Sequence, residues 1–228
     1  SVTFTATPSG ASSYTFRVNG GPVVTSASNT YTTSALNNGD VVSVVVTSAD
    51  GCTGTSAGIT TTVNPVPVAN LVSSDGDNTI CAGTSVTFTA TPSGAANYNF
   101  LVNGASALSS GVNTYTTSGL NNGDVVTVTV SSAAGCSVTS AGITTTVNPL
   151  PVASLTSSDG DNTICAGTSV TFTATPVAGA SYTFRVNGGP VVTSASNTYT
   201  TSTLVNGSTV DVIVTSSTGC VNTSAGIT

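Results

Sequence analysis

The sequence predicts an all-β protein made of tandem β-sandwiches, and three observations lead to that prediction. The first is a repeat of domain size: Cys52, Cys136 and Cys220 lie 84 residues apart (136 − 52 = 84; 220 − 136 = 84). The second is that every periodic apolar segment alternates with a period of two, which is typical of strands. The third is that Asn-Gly turn signals separate those segments. Such self-similarity indicates an array of like units.

Alternating apolar residues define the predicted strands of each repeat. In the second repeat, threonines separate Val86, Phe88 and Ala90. The position of Val126 is valine in every repeat, as expected of an inner face, whereas its neighbour Thr127 is replaced by Ser and Asp in the other copies. β-Branched residues dominate these segments, which favours strands over helices. The other positions predicted to face the core of this repeat are Tyr98, Phe100, Val102, Tyr115, Val128 and Val130.

Turn residues indicate where the strands reverse direction. Asn103-Gly104 follows the aromatic strand and is typical of a two-residue hairpin. Asn122-Gly123-Asp124 precedes the Val-rich strand, and the third repeat has Ser208 in place of the Asp, so the turn does not require a carboxylate. About seven short strands in each repeat predict a Greek-key β-sandwich of immunoglobulin type.

Proline-containing linkers divide the chain into three predicted domains, residues 1–64, 65–148 and 149–228. Pro65-Val66-Pro67 and Pro149-Leu150-Pro151 occupy equivalent places between the repeats. A Pro-x-Pro segment favours extended geometry and acts as a semi-rigid spacer. The second domain is complete by the repeat, whereas the first is expected to lack its beginning and the third its end. The expected architecture is a beaded rod of immunoglobulin-like sandwiches.

Composition excludes several classes of function. The chain has a charged fraction of 4%, a net charge of −6 and no His or Lys. The common general bases are therefore absent, no Ser-His-Asp or Cys-His nucleophile can be assembled, and an enzyme is not predicted. Arg17 and Arg185 are too few to bind nucleic acid in a chain whose net charge repels phosphate. Apolar runs are too short for a spanning helix, so membrane insertion is not predicted.

The cysteine spacing predicts disulfides within repeats. Cys81 and Cys136 flank strands of the second repeat, and Cys165 and Cys220 repeat that pair 84 residues later. We therefore predict the bridges Cys81–Cys136 and Cys165–Cys220, each clamping one pole of a sandwich, with free buried thiols as the alternative. By the same spacing, the partner of Cys52 falls before residue 1 (81 − 84 = −3). Such bridges stabilise small domains and indicate an oxidising, extracytoplasmic compartment.

An acidic turn after each linker is the candidate cation site. Clustered Asp and Asn oxygens on a tight turn supply part of the shell that calcium requires, and carbonyls of the neighbouring sandwich could complete it. The same Asp-Gly pattern is also found in plain turns, which is the alternative. The residues concerned are Asp75, Asp77 and Asn78 in the second repeat and Asp159, Asp161 and Asn162 in the third.

Several of these motifs together resemble a known family. The segment from Ile80-Cys81 to Ala90, the turn Asn122-Gly123-Asp124, the pair Gly135-Cys136 and the closing Thr146-Val147-Asn148-Pro149 are similar to the immunoglobulin/PKD-like tandem repeats of giant surface adhesins of Bacteroidota. The family includes gliding-type adhesins exported by the type IX secretion route. The resemblance covers all of the second repeat and the available parts of the others. One departure is Phe100, where many such repeats carry Trp.

The predicted function is structural. We expect stalk repeats of a long extracellular fibre or adhesin at the cell surface, with neighbouring repeats or identical chains as partners, and self-association into filaments as a variant. Low charge leaves the edge strands poorly protected against pairing. The alternative is a carbohydrate-binding or spacer module of a secreted polysaccharide-degrading enzyme, with surface glycans as partners. The inner-face placement of the aromatic residues counts against that alternative.

Overall fold

The computed structural model describes residues 1–175 and 181–228, and these residues form strands, turns and loops without a helix. They divide into two compact units. Unit 1 comprises Ser1–Pro67 with Ser132–Cys136, and unit 2 comprises Val68–Ser131 with Ser137–Thr228. Three separate cores fall one in each predicted domain, and the second and third repeats share unit 2.

Unit 1 contains the first sandwich, whose two sheets enclose a small aromatic core. One sheet has the order β3-β2-β5-β6, with β7 also on β5, and the other pairs β1 with β4. Tyr14 and Phe16 alternate with threonine and arginine along one strand and point inward, where both are almost fully buried. The strands are β1 Val2–Thr5, β2 Ser13–Val18, β3 Gly21–Ser26, β4 Thr30–Thr33, β5 Val41–Thr47, β6 Thr53–Thr55 and β7 Ile59–Thr60.

Unit 2 begins with the most complete sandwich. A three-stranded sheet of order β13-β10-β8 faces a larger sheet of order β12-β11-β14-β15, in which β16 also pairs with β14. The strands are β8 Asn70–Ser73, β9 Thr79–Cys81, β10 Val86–Thr91, β11 Asn97–Val102, β12 Ala105–Ser110, β13 Thr114–Thr117, β14 Val125–Ser131, β15 Ser137–Thr139, β16 Ile143–Thr144 and β17 Thr146–Asn148.

The third sandwich, also in unit 2, repeats this arrangement with fewer strands. Its sheets have the orders β18-β19-β22 and β21-β20-β23-β24. The strands are β18 Leu155–Ser157, β19 Val170–Ala174, β20 Ser181–Val186, β21 Gly189–Ser194, β22 Thr198–Thr201, β23 Val210–Thr215 and β24 Val221–Thr223.

The predicted inner face and hairpin of the second repeat are confirmed. Tyr98 and Phe100 on β11 are fully buried, as are the alternate valines of β14. Tyr115 of β13 stacks beside Phe100 with ring centroids 5.7 Å apart, so the aromatic residues form one layer. Asn103 has φ 52° and Gly104 has φ 81°, the positive pair that a type I′ hairpin requires.

A parallel pair, β9 with β17, completes the second sandwich. Ile80 lies opposite Val147 in this pair and is 5% exposed, as part of the same core as the aromatic layer. The equivalent segments 62–64 and 163–165 both lie among the described residues, and neither forms a strand there. The counterpart of β9 in the first repeat would precede residue 1, and the counterpart of β17 in the third would follow residue 228. A strand with no pairing partner makes no ladder hydrogen bonds, which explains the difference.

Candidate functional site

The junction between the second and third repeats is the most specific site in unit 2. Cys81, the last residue of β9, forms a disulfide with Cys220, directly before β24. Their Cα atoms are 5.6 Å apart and their sequence separation is 139 residues. The bridge therefore joins two neighbouring sandwiches rather than two strands of one.

This bridge corrects the predicted disulfide pattern: the pairings Cys81–Cys136 and Cys165–Cys220 are wrong. The parallel pairing of β9 with β17 places Cys81 opposite Asn148, the last residue before the linker. Cys220 lies at the same residue, with its Sγ 3.9 Å from the Asn148 carbonyl oxygen. Because the bridge is made at the closing strand of the preceding repeat, its partner comes from the following repeat.

Cys136 occupies the equivalent place in unit 1. Its Sγ lies 3.8 Å from the carbonyl oxygen of Asn64, which is the counterpart of Asn148. Cys136 is half-buried, and Cys52 and Cys165 are exposed; none of the three forms a disulfide within the described residues. That the partner of Cys52 lies outside the chain stays a prediction.

Hydrogen bonds fasten the linker of unit 2 beside the bridge. The backbone N–H of Ala82 donates to the Asn148 carbonyl oxygen at 2.9 Å. Asn222 of the third repeat donates from Nδ2 to the carbonyl oxygen of Pro151 at 3.0 Å, and Pro151 is buried. Two covalent or polar ties on either side of the Pro-Leu-Pro segment restrict the angles that it can adopt.

The acidic turns use their carboxylates to cap a backbone group. Asp75 Oδ1 and Asp77 Oδ1 both accept the N–H of Thr79, at 3.0 Å and 2.9 Å. Asp159 and Asp161 do the same for Thr163. Asn78 and Asn162 take positive φ, which asparagine tolerates best among non-glycine residues. These bonds order the turn that precedes β9, and calcium at these turns stays a prediction.

A second carboxylate, Asp124, holds the turn before the Val-rich strand. Its oxygens accept the backbone N–H of Asn121 at 2.8 Å and the side-chain amide of Asn103 at 2.7 Å. These bonds, the backbone one first, lower the pKa of Asp124 below its usual value, and Asp40 has a lowered pKa for the same reason. The carboxylate thus ties a loop to the hairpin that the Asn103-Gly104 turn closes.

One ion pair distinguishes the third repeat. Arg185 donates from Nε and Nη2 to both carboxylate oxygens of Asp211 at 2.6 Å and 2.9 Å, which raises the pKa of the guanidinium. The first repeat has Arg17 opposite Ser43 in the same cross-strand register. Nε of Arg17 is accordingly buried without a hydrogen-bond partner among the described residues.

Two apolar grooves lie at equivalent poles of the first and third sandwiches. The groove of unit 1 encloses about 570 Å³, and that of the third repeat about 580 Å³. Both are bordered by counterparts of residues that cover Ile80 or Val147 in the second repeat. Sequence reasoning missed these grooves because it did not predict the short parallel strands that fill the pole of the second sandwich.

Comparison with known proteins supports the fold class. No protein-family model matches the chain, and no curated protein matches its sequence. Among solved structures, the chain is similar to fibronectin(III)-like modules of CbhA from Clostridium thermocellum, with 14% identity and a TM-score of 0.39 over 68% of this chain and 92% of that one. The fold is an immunoglobulin-like β-sandwich.

Two further structures are similar to the chain at low identity. Murine CEACAM1b has 10% identity and a TM-score of 0.33, covering 69% of this chain and 98% of that one. A Bacteroides ovatus protein, SGBP-B of a mixed-linkage glucan utilization locus, in complex with a heptasaccharide, has 15% identity and a TM-score of 0.25, covering 98% of this chain and 63% of that one. None of the described residues belongs to a helix long and apolar enough to cross a bilayer.

Proposed function

We propose that these sandwiches are structural stalk repeats of a long extracellular fibre or adhesin at the cell surface, as the resemblance to Bacteroidota adhesins implies. The observation that carries the proposal is the disulfide between neighbouring repeats, Cys81–Cys220. A bridge at this place does not shape a binding pocket. It ties consecutive domains together, which serves a rod that must stay extended under load.

Energetics favours the same interpretation. Closing a loop of 139 residues stabilises the folded chain by about 5 kcal/mol in the chain-entropy model. The bridge also indicates an oxidising compartment outside the cytoplasm. A small charge-poor domain with short strands gains from such a covalent tie more than a large domain does.

The alternative is a glycan-binding or spacer module attached to a secreted polysaccharide-degrading enzyme. All Tyr and Phe side chains are buried or half-buried, and several stack on each other in the cores. Among the described residues the exposed large apolar side chains are Val, Ile and Leu, so the surface offers no aromatic platform for a sugar ring. We therefore favour the stalk, and a glycan array with the purified chain separates the two.

Immunogold electron microscopy of intact producing cells tests the proposal, with an antibody against one repeat. We expect label at intervals along thin filaments that project from the envelope. Label confined to the culture fluid, together with saturable glycan binding, would contradict the stalk and support the accessory module.

A further inference from the structure

The groove of unit 1 has the chemical character of a strand-docking site. Its apolar wall is formed by Val2, Phe4, Leu36, Ile59 and Val63. Each of these residues lies 84 positions before a member of the core that surrounds Ile80 in the second repeat, and those members are Val86, Phe88, Leu120, Ile143 and Val147. The groove therefore matches the shape and polarity of one isoleucine on a β9-like strand.

Exposure shows what such a strand contributes. Val2 is 44% exposed, whereas its counterpart Val86 is 2% exposed beside Ile80. Ile59 and Val63 are exposed by 58% and 41%. Covering these side chains removes apolar surface from water, which is favourable by roughly 25 cal/mol for each Å².

A thiol stands at the edge of this groove. Cys136 lines it, and its Sγ lies 3.8 Å from the Asn64 carbonyl oxygen. The equivalent sulfur in unit 2, that of Cys220, lies 3.9 Å from Asn148 and is bonded to Cys81. The bridged junction thus shows which residue such a thiol takes: a cysteine at the end of a strand paired with the closing segment.

The chain carries a second copy of that strand sequence. Thr163-Ile164-Cys165 is identical to Thr79-Ile80-Cys81 of β9. Within the described residues it has no ladder partner, Ile164 is only half-buried and Cys165 is exposed. In β9, by contrast, Ile80 is 5% exposed and the strand is paired.

We propose that the partner of this groove is a second copy of the chain, whose segment 163–165 docks in it. The segment pairs in parallel with Thr62–Val63–Asn64 in the register of β9 and β17, Ile164 fills the groove, and Cys165 bonds to Cys136 of the first copy. Since each copy has one groove and one such segment, the association continues head to tail as a covalent chain.

The bond forms by thiol–disulfide exchange with a small oxidised thiol such as glutathione disulfide. The Cys136 thiolate attacks one sulfur of glutathione disulfide and releases one glutathione thiolate. The Cys165 thiolate then attacks the Cys136 sulfur of that mixed disulfide and releases the second. Two protein thiols are oxidised to one disulfide, and one glutathione disulfide is reduced to two glutathione molecules.

The exchange exposes little in the donor and buries much in the acceptor. Ile164 leaves a half-buried site and enters one that matches the site of Ile80, where it meets Val63 as Ile80 meets Val147. The donor sandwich then has the state that the first repeat already shows, in which the sheets β1-β4 and β3-β2-β5-β6 hold without that strand. Ladder hydrogen bonds and the disulfide add to the gain.

Oxidation of purified chain with glutathione disulfide tests the proposal on gels run without reductant. We expect a ladder at multiples of 22.0 kDa, with a Cys136–Cys165 peptide that joins chains of different isotope label when ¹⁴N and ¹⁵N proteins are mixed. Cys136→Ser and Cys165→Ser should each remain monomeric, and an equimolar mixture of the two should stop at the dimer. Cys52→Ser is the matched control and should keep the ladder.

A docking variant separates strand insertion from chance thiol oxidation. Ile164→Asp keeps both thiols but places a carboxylate in the apolar groove, so it should lose the ladder. Monomer only, a Cys136–Cys165 bridge within one chain, or a ladder unaffected by Ile164→Asp would overturn the proposal. The inference deepens the proposed stalk function and rests on it, but its failure would leave the cell-surface label along filaments unchanged.

Discussion

Tyr98 is the residue whose polar end has the clearest structural role. Its ring is fully buried, while its hydroxyl donates to the Pro92 carbonyl oxygen at 2.7 Å and accepts the Ala95 N–H at 3.0 Å. The side chain thereby fixes the loop between β10 and β11. Replacing it tests how much of the repeat's stability comes from one buried hydroxyl.

Tyr98→Phe keeps the ring and removes both hydrogen bonds, leaving a backbone N–H and a carbonyl without their partner. We expect a loss of about 1–3 kcal/mol in the free energy of unfolding, the usual cost of an unsatisfied buried polar group. Urea unfolding followed by circular dichroism measures it. Tyr115→Phe is the control, since no hydrogen bond of its hydroxyl is observed; an equal loss in both variants would contradict the role of the hydroxyl.

Asp124 makes stability depend on pH in a direction that its contacts determine. Its pKa is lowered in the folded state by the bonds from Asn121 and Asn103. A carboxyl with a lowered folded pKa contributes stability above its unfolded pKa of about 3.9 and loses it as the pH falls through the folded value. The contribution should therefore be complete at neutral pH and absent in strong acid.

Asp124→Ser introduces the residue that the third repeat has at this turn, where Ser208 Oγ accepts the N–H of Val205 at 3.1 Å. We expect the variant to be less stable than the unaltered chain at pH 7, with the difference shrinking below about pH 4. Thermal melts across pH measure the difference. A gap that stays constant into acid would mean that the ionised carboxylate is not the cause.

At the scale of elements, alternation was enough to predict some strands and not others. The inner faces of β10, β11 and β14 could be predicted because each has at least six residues, over which a period of two is visible. The strands β9 and β17 have three residues each, too few for a period to show, and their pairing joins segments far apart in sequence.

The disulfide partner could not be predicted from spacing for a related reason. In a repeat of 84 residues, a separation of 55 and one of 139 (55 + 84 = 139) relate the same two types of cysteine. Spacing therefore fits both Cys81–Cys136 and Cys81–Cys220. Only the parallel pair, which brings Cys81 beside Asn148 and hence beside the next repeat, decides between them.

Ile80→Ala tests the parallel pair as an element. Removing a nearly fully buried isoleucine should cost about 2–5 kcal/mol and speed the hydrogen exchange of the Ala82 and Thr146 amides, which bond across the pair to Asn148 and Asn78. Ile164→Ala is the matched control: it is half-buried and unpaired, so its loss should be smaller. Both are made in a Cys165→Ser background to keep the chain monomeric, and equal losses would contradict the contribution of β17.

At the scale of the whole chain, the junction disulfide determines how far the protein can be extended. When the chain is pulled from its two ends, force passes from Cys81 to Cys220 through the bridge, and the 139-residue segment between them cannot lengthen. Since an extended residue spans at most about 3.6 Å, the bridge should shorten the fully unfolded length by roughly 500 Å. Stretch of the second and third repeats is thereby prevented, as a load-bearing stalk requires.

Single-molecule force spectroscopy with protein handles fused to both ends measures this length directly. We expect the oxidised chain to show the extension of the first repeat alone, and Cys81→Ser or added reductant to restore the unfolding events of the other two. Cys52→Ser should behave as the unaltered chain, because Cys52 takes no part in the bridge. If oxidised and reduced chains reached the same length, the bridge would not bear the load, and its value would lie in thermodynamic stability alone.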